Sequence, residues 1–230
     1  MKDMLCNSTY FGVMISIVCY ELGVILKKKF KLPLFNPLLI STSAVIILLL
    51  LLQIDYDSYY SGAKYLSYLL TPATVCLAIP LYEQLELLKS NLKAIIAGIL
   101  SGVITSLSCI YVLSLLFELS HEEYVTLLPK SITTAIGMGI SEELGGIVTI
   151  TVAVIIVTGI LGNILAETIF RLFHIEEPIA KGVAIGSSSH AIGTAKAMEL
   201  GEIEGAMSSL SIAVAGLLTV IVASIYANFL

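Results

Sequence analysis

Apolar residues run along this chain in blocks the length of a membrane crossing. Five blocks, at about 8–26, 34–54, 92–117, 147–170 and 206–229, are dominated by Ile, Leu and Val. Each approaches the roughly 20 residues a helix needs to cross a hydrocarbon core of ~30 Å. Each is therefore expected to be a membrane-spanning helix. Three further segments are apolar on average but interrupted: 62–88 by Pro72 and Pro80, 129–146 by Pro129, Gly137, Gly139 and the pair Gly145-Gly146, and 180–200 by Gly182, Gly186 and Gly193. Proline removes a helical donor and glycine lowers helix propensity, so these segments are expected to enter the membrane without crossing it as one regular helix.

The order of segments repeats. A regular span (34–54 or 147–170) is followed by an interrupted segment, a polar stretch with a glutamate and a closing span (92–117 or 206–229). An offset of 113 lays Ala78-Ile79 over Ala191-Ile192 and Glu86-Leu87 over Glu199-Leu200. The expected fold is an all-α polytopic membrane bundle, one domain over 1–230. Its two repeated halves would cover approximately 1–120 and 128–230, each holding a broken or re-entrant helix. Interrupted segments at matched places in two halves point to a secondary-transporter site.

Composition supports the membrane reading, with 57% hydrophobic and 13% charged residues against about 45–50% and 25% in soluble domains. A net charge of −5 with no basic face argues against a nucleic-acid partner. The four cysteines lack metal-ligand or redox spacing, and no nucleophile elbow, H-E-x-x-H pair or phosphate-binding Gly-Lys loop is present, so catalysis, a bound metal and a cofactor are not expected. Lysines 27–29 and Lys89 with Lys93 mark cytoplasmic loops, which puts the N-terminus outside.

The most polar stretch, GVAIGSSSHAIGTAKAMELGEIEG at 182–205, falls where a span is due. Backbone freed from helix geometry cannot face lipid and must line a cavity or be buried in protein. Ser187, Ser188, Ser189 and Thr194 supply hydroxyls, Gly193 permits the break, and a half-helix starting near Ser189 would aim N–H groups at an anion. His190 and Lys196 add cationic character. The competing reading is structural: serines bonded to carbonyls one turn back, glycines for close packing, and Lys196 snorkelling to the interface. In the segment LPKSITTAIGMGISEELGG, Thr133 and Thr134 are candidate ligand hydroxyls, and Lys130 suits an interfacial anchor as well as a substrate contact. Thr71 and Thr74 stand in the first half near the place of Ser187 in the second. Glu21 lies deep in the first span and is expected to face protein, as a proton carrier or the partner of a buried cation.

Three of these segments, PLYEQLELLKSN, PKSITT and SSSHAIGTAKAMELGEIEGAMSSL, resemble the signatures of the LrgB family, also called CidB-like or antiholin-like membrane proteins. The resemblance covers nearly the whole chain. It departs at Ala135, where the family pattern usually has proline. It implies a bacterial cytoplasmic-membrane protein that modulates murein hydrolase export and cell lysis with a small holin-like partner. Other members resemble carriers of glycolate, glycerate or pyruvate. The paired interruptions favour a small-carboxylate carrier, with the antiholin-like regulator as the alternative. A homo-oligomer is compatible with both, since Gly98, Gly102, Gly159 and Gly162 could pack between copies or within one.

Overall fold

The computed structural model describes residues 10–30, 35–76 and 78–230, the side chains at 70, 71 and 74 excepted. Every described element is helical, and the chain divides into two compact units, Met1–Cys76 and Leu77–Leu230.

In the first unit, α1 (Phe11–Phe30) packs against α2 (Pro37–Leu52) and α3 (Tyr56–Ser67), and α4 (Leu70–Cys76) follows. Local chemistry sets the boundaries. Asn36 Oδ1 accepts from the N–H groups of Leu38 and Leu39 at 2.9 and 3.3 Å, and Pro37 occupies the first turn, where its missing donor costs nothing. The helix stops at Gln53, which is left-handed with φ 51°. Asp55 Oδ2 then caps α3 by accepting from Ser58 N–H at 2.8 Å. Gly12 allows α1 to approach the backbone of α3 at Tyr59 and Ala63.

The second unit comprises α5 (Ala78–Glu83), α6 (Leu85–Leu116), α7 (His121–Leu127), α8 (Thr134–Glu143), α9 (Val148–Leu172), α10 (Pro178–Leu200), α11 (Glu202–Tyr226) and a closing 3₁₀ turn, Ala227–Phe229. Among the described residues three helices are long and apolar enough to cross a membrane: Leu85–Leu116, Val148–Leu172 and Glu202–Phe229, with mean hydropathies of 2.1, 2.3 and 2.3. The expected blocks at 8–26 and 34–54 correspond to α1, whose last turn carries three lysines, and to α2, apolar but only 16 residues long.

The core of this unit follows from one stripe on α6. Ile95, Ile99, Val103, Leu107 and Ile110 recur every three or four residues, so they share one helical face, and all are buried. Leu100, Ile104 and Val112 stay exposed, as expected of a helix whose outer face meets hydrocarbon. The buried stripe joins Tyr124, Val125 and Leu128 around α7 and Ala206, Met207, Ala215 and Ala223 of α11. Small residues on α11 admit α10 closely. A Cβ on Gly182 would press on Glu204 and Met207, and one on Gly186 on Ser208 and Ser211. α7 opens with a capping box, in which Ser120 N–H and Oγ–H both donate to Glu123 Oε2 at 2.8 Å. These bonds hold the Glu123 carboxyl below its ordinary range.

Within α10 one residue leaves helical geometry: His190 has φ 43° and ψ −142°. The stretches on either side lie next to one another rather than in line. A Cβ on Gly193 would touch the Ile185 side chain at 2.8 Å and its carbonyl at 3.3 Å, although residues eight apart in a straight helix are separated by ~12 Å. Ile185 and Ala197 also share an apolar cluster with Ala166 and Phe170 of α9.

Candidate functional site

The departure at His190 is held by side chains from α9. His190 Nε2–H donates to Ile155 O at 2.9 Å, and Asn163 Nδ2 donates to Ile192 O at 3.0 Å. Thr194 Oγ1–H donates to His190 O at 3.0 Å and lies 2.7 Å from Ser208 Oγ, tying the second stretch of α10 to α11. Both His190 and Thr194 are buried. His190 Nε2 and Thr194 Oγ1 are thus engaged in holding the backbone.

Just before His190, the serines meet a cavity of about 1010 Å³ between α6, α9, the first stretch of α10 and the turn at Lys130-Ser131. Glycines open the space: a Cβ on Gly102 would meet Ser187 Oγ at 2.9 Å, and one on Gly162 would collide with Ser189. Gly98 and Gly159 likewise face α10, at Val183 and at His190, so all four of these glycines have packing partners inside the chain.

The serine protons point back into their own helix. Ser187 Oγ–H donates to Val183 O at 2.7 Å and Ser188 Oγ–H to Ala184 O at 2.6 Å, which leaves Ser189 Oγ–H to donate to Ser188 Oγ at 3.0 Å. What Ser187–Ser189 present to the cavity is therefore lone pairs.

The donor comes from elsewhere. Lys130 Nζ donates to Ser106 Oγ at 3.3 Å and Ser131 Oγ at 3.1 Å, and these hydroxyls lie 3.0 Å apart. Among the described residues no carboxylate pairs with this ammonium. Two of its three protons are thus accounted for, and one hydroxyl of the serine pair keeps a proton to offer. Lys130, Ser131, Ser106 and Ser187–Ser189 all line the same cavity. Ser106 lies on a span with nothing in its local sequence to mark it.

Other expected residues sit apart. Lys196 is bound by carboxylates, with Nζ 2.5 Å from Glu167 Oε1 and 3.3 Å from Glu199 Oε2 and a side chain only 14% exposed. It bridges α9 and α10 and does not line the cavity. Thr133 begins α8 without a side-chain cap, and it and Thr134 are half-buried outside the cavity lining. Gly193 packs against Ser189 and Ile185. Glu21, expected to face protein, is exposed on α1; its sequence depth within the span says nothing of which way its helix is turned. The side chains of Thr71 and Thr74 lie outside the described residues.

The LrgB-like family model matches residues 16–229. The chain belongs to the LrgB-like family. It is 38% identical over 213 residues to the holin-like protein CidB of Staphylococcus aureus, covering 93% of this chain and 91% of that one. To the antiholin-like protein LrgB of Bacillus mycoides it is 36% identical over 222 residues, 96% of each. The Staphylococcus epidermidis CidB is 38% identical over 213 residues, again 93% of this chain and 91% of that one. No solved structure matches it. With three membrane-length apolar helices and these relatives, this LrgB-like chain is an integral membrane protein.

Proposed function

We propose that this LrgB-like chain acts in the bacterial cytoplasmic membrane as its relatives' names describe. It is an antiholin-like or holin-like protein that tunes murein hydrolase export and lysis together with a small holin-like membrane partner. The observation that carries the reading is similarity to proteins of those names along almost the full length of both chains. The α10 segment is read as re-entrant, its two ends on one side of the membrane and His190 at the tip, in keeping with the contact between Ile185 and Gly193. Deleting the gene should change the murein hydrolase activity released into the medium, and complementation should restore it only with the holin-like partner present. Unchanged hydrolase release and lysis in the deletion strain would refute this reading.

One observation favours a second reading, a carrier of small carboxylates: the Lys130 ammonium faces a cavity with hydroxyl neighbours, and among the described residues no carboxylate pairs with it. An unpaired intramembrane cation is costly and calls for a counter-ion. Uptake of glycolate, pyruvate and lactate by purified protein in liposomes, with an inert sugar as control, tests it. A carrier in which Lys130→Met retains full uptake is inconsistent with this site.

A further inference from the structure

The cavity at Lys130 is far larger than a two- or three-carbon acid requires. Its volume of about 1010 Å³ lies at the upper end of the ~300–1,000 Å³ usual for sites enclosing drug-sized ligands. Its lysine stands at one end of a largely apolar lining. α6 and the first stretch of α10 run side by side in the same direction, because Gly98 faces Val183 and Gly102 faces Ser187. Lys130, which bonds to Ser106, thus stands past the serines at one end, while Ala94, Ile179 and Ala180, with Asn91 beside them, line the other. Ala94 is roughly 18 Å from Ser106 along α6 at ~1.5 Å per residue. Leu161, Leu165 and Val183 wall the space between, and Glu177 lines it near Ile179, at the end away from Lys130.

A ligand complementary to this surface needs an anionic head for the ammonium and a long apolar body for the walls. A small carboxylate satisfies the first condition and leaves most of the wall uncovered. We propose that the cavity binds a single-chain anionic amphiphile, its carboxylate or phosphate head on Lys130 and the Ser106–Ser131 hydroxyls and its acyl tail along α6 and α10 towards Ala180. The inference rests on the cavity alone and on neither functional reading above.

Native mass spectrometry of the full chain, released from phosphatidylcholine nanodiscs doped with oleate, lysophosphatidate or monoolein, tests it. One adduct per chain is expected with either anion and none with neutral monoolein. An adduct with one anion alone assigns the head as carboxylate or phosphate. Lys130→Met should reduce occupancy at least tenfold, and Ala180→Phe, which fills the tail end where Ala180 is exposed, should do the same with helix content unchanged by circular dichroism. Equal adducts with monoolein, or adducts that survive Lys130→Met, would overturn the proposal. So would pyruvate uptake by a protein that takes up neither anion, a result that leaves the carrier reading intact. The comparison of oleate with monoolein on the unmodified chain decides the matter even if a variant misfolds.

Discussion

Gly186→Ala probes the contact that sets the serines in the cavity wall. A Cβ there would lie 2.7 Å from Ser211 Cβ and 2.8 Å from Ser208 Cα, and closer still to Ser208 O. All three belong to the backbone or first side-chain atoms of α11, so none can swing aside as the end of a long side chain would. Overpacking of this kind costs about 1–3 kcal/mol. Gly139→Ala is the matched control, since nothing lies within 4 Å of a Cβ there and the helical position should gain up to ~1 kcal/mol from propensity. The two variants should therefore differ by roughly 1–4 kcal/mol in opposite directions about the wild type. At ~2–4 °C per kcal/mol for a chain of this size, the gap is readable as the temperature at which the monodisperse peak is lost after heating in detergent. If Gly186→Ala survives to the wild-type temperature or beyond, α10 does not approach α11 as described, and the placement of Ser187–Ser189 falls with it.

His190 separates backbone strain from hydrogen bonding. His190→Gly loses the bond to Ile155 O but relieves the positive φ, whereas His190→Ala loses the bond and keeps the strain, so the alanine variant should be less stable by about 1 kcal/mol or more; equal melting of the two would count against the geometry at this residue. The lowered Glu123 carboxyl predicts a pH effect. Because its folded value lies below the unfolded one of about 4.3, the stabilisation is complete above that range and is lost as pH falls through the lowered value. Ser120→Ala should shrink the difference in melting temperature between pH 6 and pH 3, and an unaltered pH profile would contradict the capping box.

Length and apolarity were enough to find α6, α9 and α11, because hydrocarbon thickness imposes a local requirement on each. The glycines and serines of 180–200 likewise signalled an irregular segment. From sequence a half-helix starts near Ser189, one residue from the departure at His190; what was not legible is what holds it, the bonds from His190 to Ile155, 35 residues away, and from Asn163 to Ile192. Lys130 and Lys196 look alike as lysines near the ends of apolar segments. Only the fold places Ser106 beside the first and Glu167 beside the second. The sequence leaves the serine hydroxyls two partners, a ligand or the carbonyl one turn back, and in this structure Ser187 and Ser188 take the carbonyl. That choice is made by rotamer, which residue type does not reveal.

Several contacts gather the same end of the second unit. His121 Nδ1–H donates to Leu230 O at 2.9 Å, Tyr124 OH to Tyr226 O at 2.9 Å, and Ile147 N–H to Thr126 Oγ1 at 2.8 Å. The 117–120 connection, the start of α9 and Leu230 are thus neighbours, although hydropathy counting that treats 178–200 as a crossing would put Leu230 across the bilayer from the start of α9. For topology mapping, a reporter fused after Leu230 and one inserted at 117–120 read out a single compartment. A count that takes 178–200 as a crossing but not 129–146 would assign them to two.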